Sequence, residues 1–296
     1  MTLVATLISS PARPSITDDV LAEAHRLLRT EHPTRPLHGE VAAEILFDGE
    51  AGAAEASLRD AFRDLPIDVV VQEAQHRRKR LFLADMDSTI IAQECIDELA
   101  DFVGLKAEVS GITERAMRGE IAFEPALRER VALLKGLPVR TADEIIATRI
   151  TLTPGARTLV QTMRANGAHT CLVSGGFTLF TGPVAAMVGF HEHRSNRLGV
   201  EDDRLAGTVE EPILGREAKR ATLEELCGRL GLAPADALAV GDGANDLAML
   251  DAAGMGVAYH AKPAVAAAAR ARIDHGDLTA LLYLQGYGRD EFADDL

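Results

Sequence analysis

The hydrophobic pattern of the first 76 residues predicts a small α+β unit. Three apolar segments have strand-like composition, and the two segments between them carry apolar residues at helical spacing. The first helix follows Ser15 and Thr17, either of which is a typical N-cap. The predicted order is β-α-β-α-β, with a further short strand allowed around residues 36–40. We expect a domain boundary after residue 76, where the basic segment Arg77–Arg80 is typical of a solvated linker.

From residue 77 to residue 296, short apolar segments alternate with helices. Several of these segments end in polar or glycine-rich turns, as in RLFLADMDST, HTCLVSGG and ALAVGDG. Residues 91–150 are helical by pattern and predict a small cap, at about residues 92–150, inserted after the first strand. Because strands that alternate with helices indicate a parallel sheet covered on both faces, we predict an α/β, Rossmann-like core. Residues 194–209 predict a hairpin or flap, and residues 263–272 predict a helix.

Composition limits the classes of function. Hydrophobic residues make up 47% of the 296 residues and aromatic residues only 4%, so the core must be mainly aliphatic. The formal net charge of -14 argues against a nucleic-acid partner, because binding nucleic acid requires a basic surface. An anionic substrate would need a local positive site against this overall negative charge, so any metal site or cluster of Lys and Arg residues would be informative.

The cysteines and the apolar segments bear on the compartment. Cys95, Cys171 and Cys227 are widely spaced and form no zinc-binding pattern, which favours reduced thiols in a cytoplasmic protein. No apolar run approaches about 18 residues, so we expect no membrane span. The N-terminal residues lack the basic region and the long apolar stretch of a signal peptide.

Two carboxylates directly after the apolar run RLFLA are the first candidates for chemistry. Asp85 and Asp87 lie on the same side of an extended chain, where their like charges would repel each other. A nearby cation would relieve this repulsion, and carboxylate and carbonyl oxygens suit Mg²⁺. One carboxylate could act as a nucleophile and the other as a general acid and base. The alternative is that one of them only caps a strand-to-helix turn.

A second acidic pair ends another predicted strand. Asp242 follows the apolar run ALAVG, and Asp246 opens the next helix after Asn245. A single Asp at the start of a helix is usually only a cap. Here two acidic clusters end two strands of one parallel sheet, and the carboxyl ends of such strands form the binding site in this class of fold. The pattern therefore suggests one divalent ion shared by both clusters.

Two further segments suggest an anion site. Ser174 and Gly175 follow a third strand and open a helix, where a hydroxyl and free N–H groups can bind an anion, although a plain turn explains the same residues. Lys219 lies early in a helix, and a surface lysine is its ordinary interpretation. The charge of a phosphate and several carboxylates would require such a cation, which favours a role for Lys219 in the site.

In order and spacing, four segments resemble the haloacid dehalogenase superfamily of phosphohydrolases. These are DMDST, SGGF, the Ala-Lys pair that contains Lys219, and GDGANDLAML. Within the superfamily, the sequence resembles the phosphoserine phosphatase family over roughly residues 80–285. The DxDxT pattern is common to the whole superfamily. The helical insert and the longer forms DMDSTII and VGDGANDLAM are more selective.

The resemblance implies a reaction and roles for five residues. It implies that O-phosphoserine is hydrolysed to serine and phosphate through an aspartyl phosphate, the last step of serine biosynthesis, with Mg²⁺ as the cofactor. Asp85 would be the nucleophile, and Asp87 would be the general acid and base. Ser174 and Lys219 would hold the phosphate, and Gly175 would donate a backbone N–H to it.

The same resemblance implies a metal site. Asp85, Asp242 and the backbone carbonyl of Asp87 would bind Mg²⁺. Asp246 would support these ligands from behind, and Asn245 would form a hydrogen bond near the phosphate.

Four residues of the predicted cap correspond to the family positions that select phosphoserine. Glu94 would bind the ammonium group of the substrate, and Arg130 its carboxylate. Met117 and Phe123 would form apolar edges of the pocket. Taken alone, Glu94 is more typical of a solvated helix residue, and Arg130 of a charged helix face. Arg130→Ala should raise the KM for phosphoserine but spare an aryl phosphate that lacks a carboxylate.

The N-terminal unit resembles the small amino-acid-binding ACT domains that precede some phosphoserine phosphatases. It lacks a glycine-rich ligand turn, so it could serve dimerisation or stability, and a homodimer through this unit is one expectation. A sensor that binds serine would be an alternative for residues 1–76. His191 and His193 form an HxH pattern without an acid or cysteine that completes a metal set, and a solvated flap explains them.

Two alternatives to phosphoserine hydrolysis stay open. A different small phosphomonoester, such as phosphothreonine or phosphohomoserine, would need the same chemistry and another pocket. A pure sensor would not need an intact catalytic set, yet Asp85, Asp87, Lys219 and Asp242 are all present.

Overall fold

The computed structural model of the protein describes residues 2–117 and 120–293, apart from the side chains of residues 116 and 117. The predicted pocket residue Met117 therefore lies outside the described side chains. The N-terminal part contains a four-stranded antiparallel sheet in the order β2-β3-β1-β4 and two helices. Its elements are β1 (Thr2–Ser9), α1 (Asp18–Leu28), β2 (Arg35–His38), β3 (Ala42–Asp48), α2 (Ala51–Ala61) and β4 (Ile67–Glu73). The predicted β and α segments are confirmed, including the additional short strand.

Helix α1 begins where the sequence predicted it. The Oγ1 atom of Thr17 accepts a hydrogen bond from the N–H of Val20, so Thr17 is the N-cap. Helices α1 and α2 cover one face of the sheet, where Leu7, Ile45 and Leu58 are completely buried. This face forms an apolar core of its own.

The main sheet has six parallel strands in the order β12-β11-β10-β5-β6-β7. Its strands are β5 (Leu81–Ala84), β6 (His169–Phe177), β7 (Glu192–Asn196), β10 (Ala237–Gly241), β11 (Met255–Tyr259) and β12 (Ala271–Ile273). Ala84 at the end of β5 pairs with Val240 on one side and with Leu172 on the other. The carboxyl ends of these three strands therefore meet at one edge, as the sequence predicted for a parallel sheet.

Helices cover the main sheet, and a separate helical cap and hairpin lie beyond it. The covering helices are α7 (Ala156–Ala165), α8 (Thr178–Val188), α9 (Arg216–Leu230), α10 (Leu247–Ala252), α11 (Pro263–Ala268) and α12 (Ala280–Leu284). The cap contains α3 (Cys95–Phe102), α4 (Lys106–Met117), α5 (Phe123–Ala132) and α6 (Thr141–Thr148), and the hairpin consists of β8 (Leu198–Glu201) and β9 (Arg204–Val209). None of the helices described is both long and apolar enough to cross a bilayer.

The chain segments that enter and leave the cap run antiparallel to each other. The N–H of Ala92 donates to the carbonyl of Thr151 at 3.1 Å, and the N–H of Thr153 donates to the carbonyl of Ile90 at 2.9 Å. The cap also bonds to the hairpin, because the N–H of Leu205 donates to the carbonyl of Leu137 at 2.8 Å. The cap is thus fixed to the core at its root and to the hairpin at a second place.

Two predicted elements were wrong in part. Residues 192–196 form an edge strand of the main sheet, and only residues 198–209 form the hairpin. His193 consequently lies in a strand, with its Nδ1 atom 3.0 Å from the hydroxyl of Thr181, and not in a solvated flap. The helix predicted for residues 263–272 ends at Ala268, because Ala271 pairs with Val257 in the sheet. Sheet pairing here overrides the high helix propensity of an alanine-rich segment.

The second face of the N-terminal sheet packs against the C-terminal segment of the chain. Ile8 and Val70 belong to the same apolar cluster as Leu281. Asp68, only 4% exposed, accepts hydrogen bonds from the N–H groups of three consecutive residues, Asp274, His275 and Gly276. The two sheets are therefore joined through a buried, hydrogen-bonded junction.

Candidate active site

A cleft of about 290 Å³ opens at the carboxyl edge of the main sheet, between the sheet and the cap. Most of the predicted site residues line it: Asp85, Asp87, Glu94, Phe123, Arg130, Ser174, Gly175, Asp242 and Asn245. Lys219 and Asp246 are fully buried and contact this cleft through Asp85, as described below. The structure thus gathers residues that are up to 160 positions apart in the sequence, from Asp85 to Asn245.

The first motif forms a tight turn directly after β5. The N–H of Asp85 donates to the carbonyl of Val240 at 3.0 Å, which fixes Asp85 against the neighbouring strand. The chain then makes one π-type turn over Met86–Ile90, closed by a bond from the N–H of Ile91 to the carbonyl of Met86. The turn places both Asp85 and Asp87 in the wall of the cleft.

Lys219 links two carboxylates beneath the cleft. Its Nζ atom lies 2.8 Å from Oδ1 of Asp85 and 2.6 Å from Oδ1 of Asp246, and the lysine is 1% exposed. The second oxygen of Asp246 accepts a hydrogen bond from the N–H of Gly243 at 3.0 Å. Gly241 permits this arrangement, because a Cβ there would collide with the side chain of Asp246. Lys219 is therefore an internal counter-ion and not a surface lysine.

Electrostatics in this cluster follow from burial and from the excess of carboxylates. Burial raises the pKa of Asp85 well above its usual range, Asp246 adds to this, and Lys219 opposes it. Burial alone would lower the pKa of Lys219, but Asp246 and Asp85 outweigh it and raise that pKa. Burial, together with repulsion from Glu94, raises the pKa of Asp87 to about 7. A group with such a pKa can both donate and accept a proton near neutral pH.

Three carboxylates could hold a cation. Oxygens of Asp85, Asp242 and Asp246 lie within 4.8 Å of one another. Both oxygens of Asp246 already have partners, in Lys219 and Gly243, so Asp85 and Asp242 are the more available ligands. Burial and then Asp246 and Glu94 raise the pKa of Asp242 to about 6, which indicates a deficit of positive charge. An all-oxygen donor set with this deficit fits Mg²⁺.

The turn after β6 is held by residues on both sides. The hydroxyl of Ser174, a residue only 1% exposed, accepts a hydrogen bond from the N–H of Gly176 at 2.9 Å. Gly176 allows close approach, since a Cβ there would lie 3.1 Å from Oδ2 of Asp87. The turn therefore lies directly beside the second carboxylate of the first motif.

Sequence reasoning missed Asn196, which supports this turn. Its Nδ2 atom donates to the carbonyls of Gly175 at 2.8 Å and Leu214 at 3.1 Å, and its Oδ1 atom accepts from the N–H of Leu214 at 2.6 Å. Asn196 is 2% exposed and thereby ties the Ser174 turn to the loop that leads into α9, the helix of Lys219. Because the pattern of residues 194–209 predicts a hairpin or flap, nothing in the local sequence marks this residue.

The cap supplies the remaining wall of the cleft. Nε of Arg130 donates to the carbonyl of Ala126 at 3.2 Å, and Nη1 donates to the hydroxyl of Thr113 at 3.4 Å. Burial lowers the pKa of Arg130, whereas Asp97 and Glu94 act in the opposite direction. The cleft thus has one cationic group and two anionic groups on its cap side.

Phe123 of α5 lines the cleft beside two glycines. A Cβ on Gly175 would lie 3.7 Å from its ring, and a Cβ on Gly215 would lie 3.5 Å from it. The ring of Phe123 therefore lies close to both glycines, at a distance where a Cβ would make ordinary van der Waals contact. Three further lining residues, Asp97, Thr113 and Lys262, were not identified from the sequence, because isolated polar residues on helices and loops carry no distinctive local pattern.

Comparison with known proteins agrees with this geometry. The model of the haloacid dehalogenase-like hydrolases matches residues 82–251. A curated phosphoserine phosphatase of Polaromonas sp. is 48% identical over 225 residues, which cover 74% of this chain and 95% of that protein. A HAD family hydrolase of Salmonella enterica serovar Typhi superposes with a TM-score of 0.87 at 28% identity, over 96% of this chain and 98% of that one. A probable phosphoserine phosphatase of Vibrio cholerae superposes with a TM-score of 0.78 at 30% identity, over 96% and 86% of the two chains.

Proposed function

The chain belongs to the haloacid dehalogenase-like hydrolases and, among them, to the phosphoserine phosphatases, and on this premise we propose that it hydrolyses O-phosphoserine to serine and phosphate in the cleft described above. The observation that carries the proposal is the buried contact of Asp85 with Lys219 at the end of β5, next to Asp87 and Asp242. Phosphoryl transfer depends mainly on alignment and charge neutralisation, and this cluster offers both.

Asp85 is the nucleophile in this proposal. Its Oδ1 atom is held by Lys219 and by the N–H of Met86 at 2.7 Å, so we assign the attack on phosphorus to Oδ2. The bond between phosphorus and the serine oxygen breaks as the aspartyl phosphate forms. Lys219 and the turn at Ser174 hold the phosphoryl oxygens, with an N–H from Gly175.

Asp87 transfers the protons. In the first step it donates a proton to the departing serine oxygen, and in the second step it accepts a proton from the attacking water. The bond from phosphorus to Asp85 then breaks and releases phosphate. The N–H of Cys95 donates to Oδ1 of Asp87 at 3.1 Å, which orients this carboxyl group.

The metal site would use the carboxylates of Asp85 and Asp242 and the backbone carbonyl of Asp87. Mg²⁺ bound there would supply positive charge against the phosphoryl oxygens. Asp246 supports the site indirectly, because it holds Lys219. Asn245 lines the cleft and is proposed to form a hydrogen bond near the phosphate.

Substrate selection is assigned to the cap. We assign Glu94 to the ammonium group of phosphoserine and Arg130 to its carboxylate, since they line the cleft and carry opposite charges. Phe123 provides an apolar edge, and Met117 is proposed for the same role from the sequence alone.

Steady-state kinetics test the proposal directly. We expect the highest kcat/KM for O-phosphoserine among a set that includes phosphothreonine and phosphohomoserine, and loss of turnover when a chelator removes divalent ions. Labelled phosphate should be trapped on the wild-type protein but not on Asp85→Asn. A higher kcat/KM for another monoester, or trapping on Asp85→Asn, would contradict the substrate or the nucleophile, respectively.

Assembly and location are also proposals. We propose that a homodimer through the N-terminal unit would use its helices or a sheet edge, because the other sheet face is covered by the C-terminal segment. For the same reason, we propose that residues 1–76 are a unit that is stable only together with residues 77–296. Light scattering would give the oligomeric state.

Cys95, Cys171 and Cys227 are free and buried, which suits a cytoplasmic location that cell fractionation can test.

A further inference from the structure

We propose that Ser88 is a positioning residue that fixes the carboxylate of Glu94 for recognition of the substrate ammonium group. The proposal rests on the function proposed above and adds a residue to the part of the site that selects the substrate. Ser88 belongs to the turn of the first motif, whose carboxylates carry out the chemistry, but its own hydroxyl faces another partner.

The hydroxyl of Ser88 binds Glu94 directly. Its Oγ atom donates to Oε1 of Glu94 at 2.7 Å, which leaves Oε2 for the substrate. The N–H of Ser88 donates to the carbonyl of Gln93 at 3.3 Å, so both groups of Ser88 contact the segment that ends in Glu94. Because Glu94 is the N-cap residue of α3, these contacts connect the core turn to the first helix of the cap.

The position of Glu94 depends on such a contact. Glu94 is exposed to the cleft, and a glutamate in that environment samples several rotamers. Gln93, the residue before it, is held at the root of the cap by two bonds to Thr151, of 2.9 and 3.0 Å. The side chain of Gln93 is therefore held on one side by Thr151, and the side chain of Glu94 is held on the other side by Ser88. A carboxylate held in place loses less entropy when it binds an ammonium group.

The backbone conformation of Ser88 is unusual for a residue that has a side chain. It has φ 54° and ψ 6°, in the left-handed region that favours glycine. A non-glycine residue in such a conformation is strained. Glycine would relieve this strain but would lose the hydroxyl that binds Glu94, so Ser88→Gly separates the two effects.

The test compares two substrates that differ only in the ammonium group. These are O-phosphoserine and 3-phosphooxypropionate, and the readout is the ratio of their kcat/KM values. We expect Ser88→Ala and Ser88→Gly each to lower this ratio about five-fold, the effect of one hydrogen bond. Ser88→Gly relieves the strain and still removes the hydroxyl, so equal effects of both variants assign the role to Oγ.

In a Glu94→Gln background, Ser88→Ala should lower the ratio no further. Thr148→Ala, which removes an exposed cap hydroxyl bonded to the carbonyl of Glu144, is the matched control and should leave the ratio unchanged.

Each contrary outcome has a distinct meaning. A lowered ratio in Glu94→Gln with unchanged ratios in both Ser88 variants would overturn the role of Ser88 and leave that of Glu94 intact. A loss in Ser88→Ala but not in Ser88→Gly would mean that the hydroxyl only offsets the strain of the turn and does not position Glu94. A full additional loss in the double variant would show that Ser88 acts independently of Glu94. An unchanged ratio in Glu94→Gln would instead refute the ammonium assignment in the proposed function.

Discussion

Asp85 and Asp68 are two carboxylates with the same low exposure, 4%, in two different regions of the molecule. Asp68 lies at the junction of the two sheets, where both of its oxygens accept from backbone N–H groups of residues 274–276. Asp85 lies at the carboxyl edge of the main sheet, which lines the cleft and is called the catalytic edge below. There Lys219 and the N–H of Met86 both bind its Oδ1 atom. The two residues meet the same desolvation penalty in different ways.

In the proposed mechanism, this difference in hydrogen bonding separates a structural carboxylate from a reactive one. Backbone donors saturate Asp68, so it has nothing left to offer a ligand, and it connects segments more than 200 residues apart, with a separation of 206 to Asp274. Asp85 keeps one oxygen for phosphorus or a metal ion in the proposed mechanism. A buried carboxylate that remains incompletely paired beside a buried lysine is a stronger sign of catalysis than burial alone.

Asp85→Asn should show the largest effect. We expect kcat to fall by more than about 10⁴-fold, because the amide cannot form the phosphoenzyme. The free energy of unfolding should not fall, since the repulsion between Asp85 and Asp246 disappears and Lys219 keeps Asp246 as its partner. Kinetics and urea denaturation on one preparation measure both quantities. A strongly destabilised variant would mean that Asp85 is structural in the same way as Asp68.

Asp68→Ala should show the reverse. Three backbone N–H groups would lose their acceptor, which should lower the free energy of unfolding by roughly 2–4 kcal/mol. The kcat/KM of the folded enzyme should stay within about two-fold of wild type, because Asp68 does not line the cleft. Denaturation with urea, followed by assays in its absence, separates the two effects. Lost activity with unchanged stability would contradict the comparison.

Mg²⁺ should stabilise only the catalytic edge. At about 100 times its Kd, the ion should raise the free energy of unfolding by about 2.7 kcal/mol. Asp242→Asn should remove most of this gain, since it removes one of the two available carboxylates, whereas Asp68→Ala should keep it in full. Thermal denaturation with and without MgCl₂ measures the gain for each variant. An equal gain in Asp242→Asn would place the ion elsewhere.

The sequence predicted the catalytic edge better than the junction for a physical reason. Asp85, Asp87 and Asp242 directly follow apolar strands, so a short window of sequence contains both the strand and the chemistry. Asp68 lies inside β4 and looks like an ordinary polar residue of a strand, because its partners are far away in the sequence. Edge strands β7 and β12 were missed in the same way, since their pairing partners and not their own composition define them.

Asn196 combines the two cases and gives the most sensitive test of the comparison. It is saturated with backbone partners, as Asp68 is, but it lies at the catalytic edge, where it holds the carbonyl of Gly175 and the loop before Lys219. If hydrogen-bond saturation alone decided the role, Asn196→Ala would lower the free energy of unfolding by about 1–2 kcal/mol and leave kcat unchanged. We expect instead that it lowers both the free energy of unfolding and kcat, the latter about ten-fold, because the proposed phosphate-binding groups would lose their alignment. Thr181→Val, at a buried hydroxyl that bonds His193 and Ser195 outside the cleft, is a control for stability alone. An Asn196→Ala enzyme with reduced stability and unchanged kcat would show that location at the edge does not by itself give a polar residue a part in catalysis.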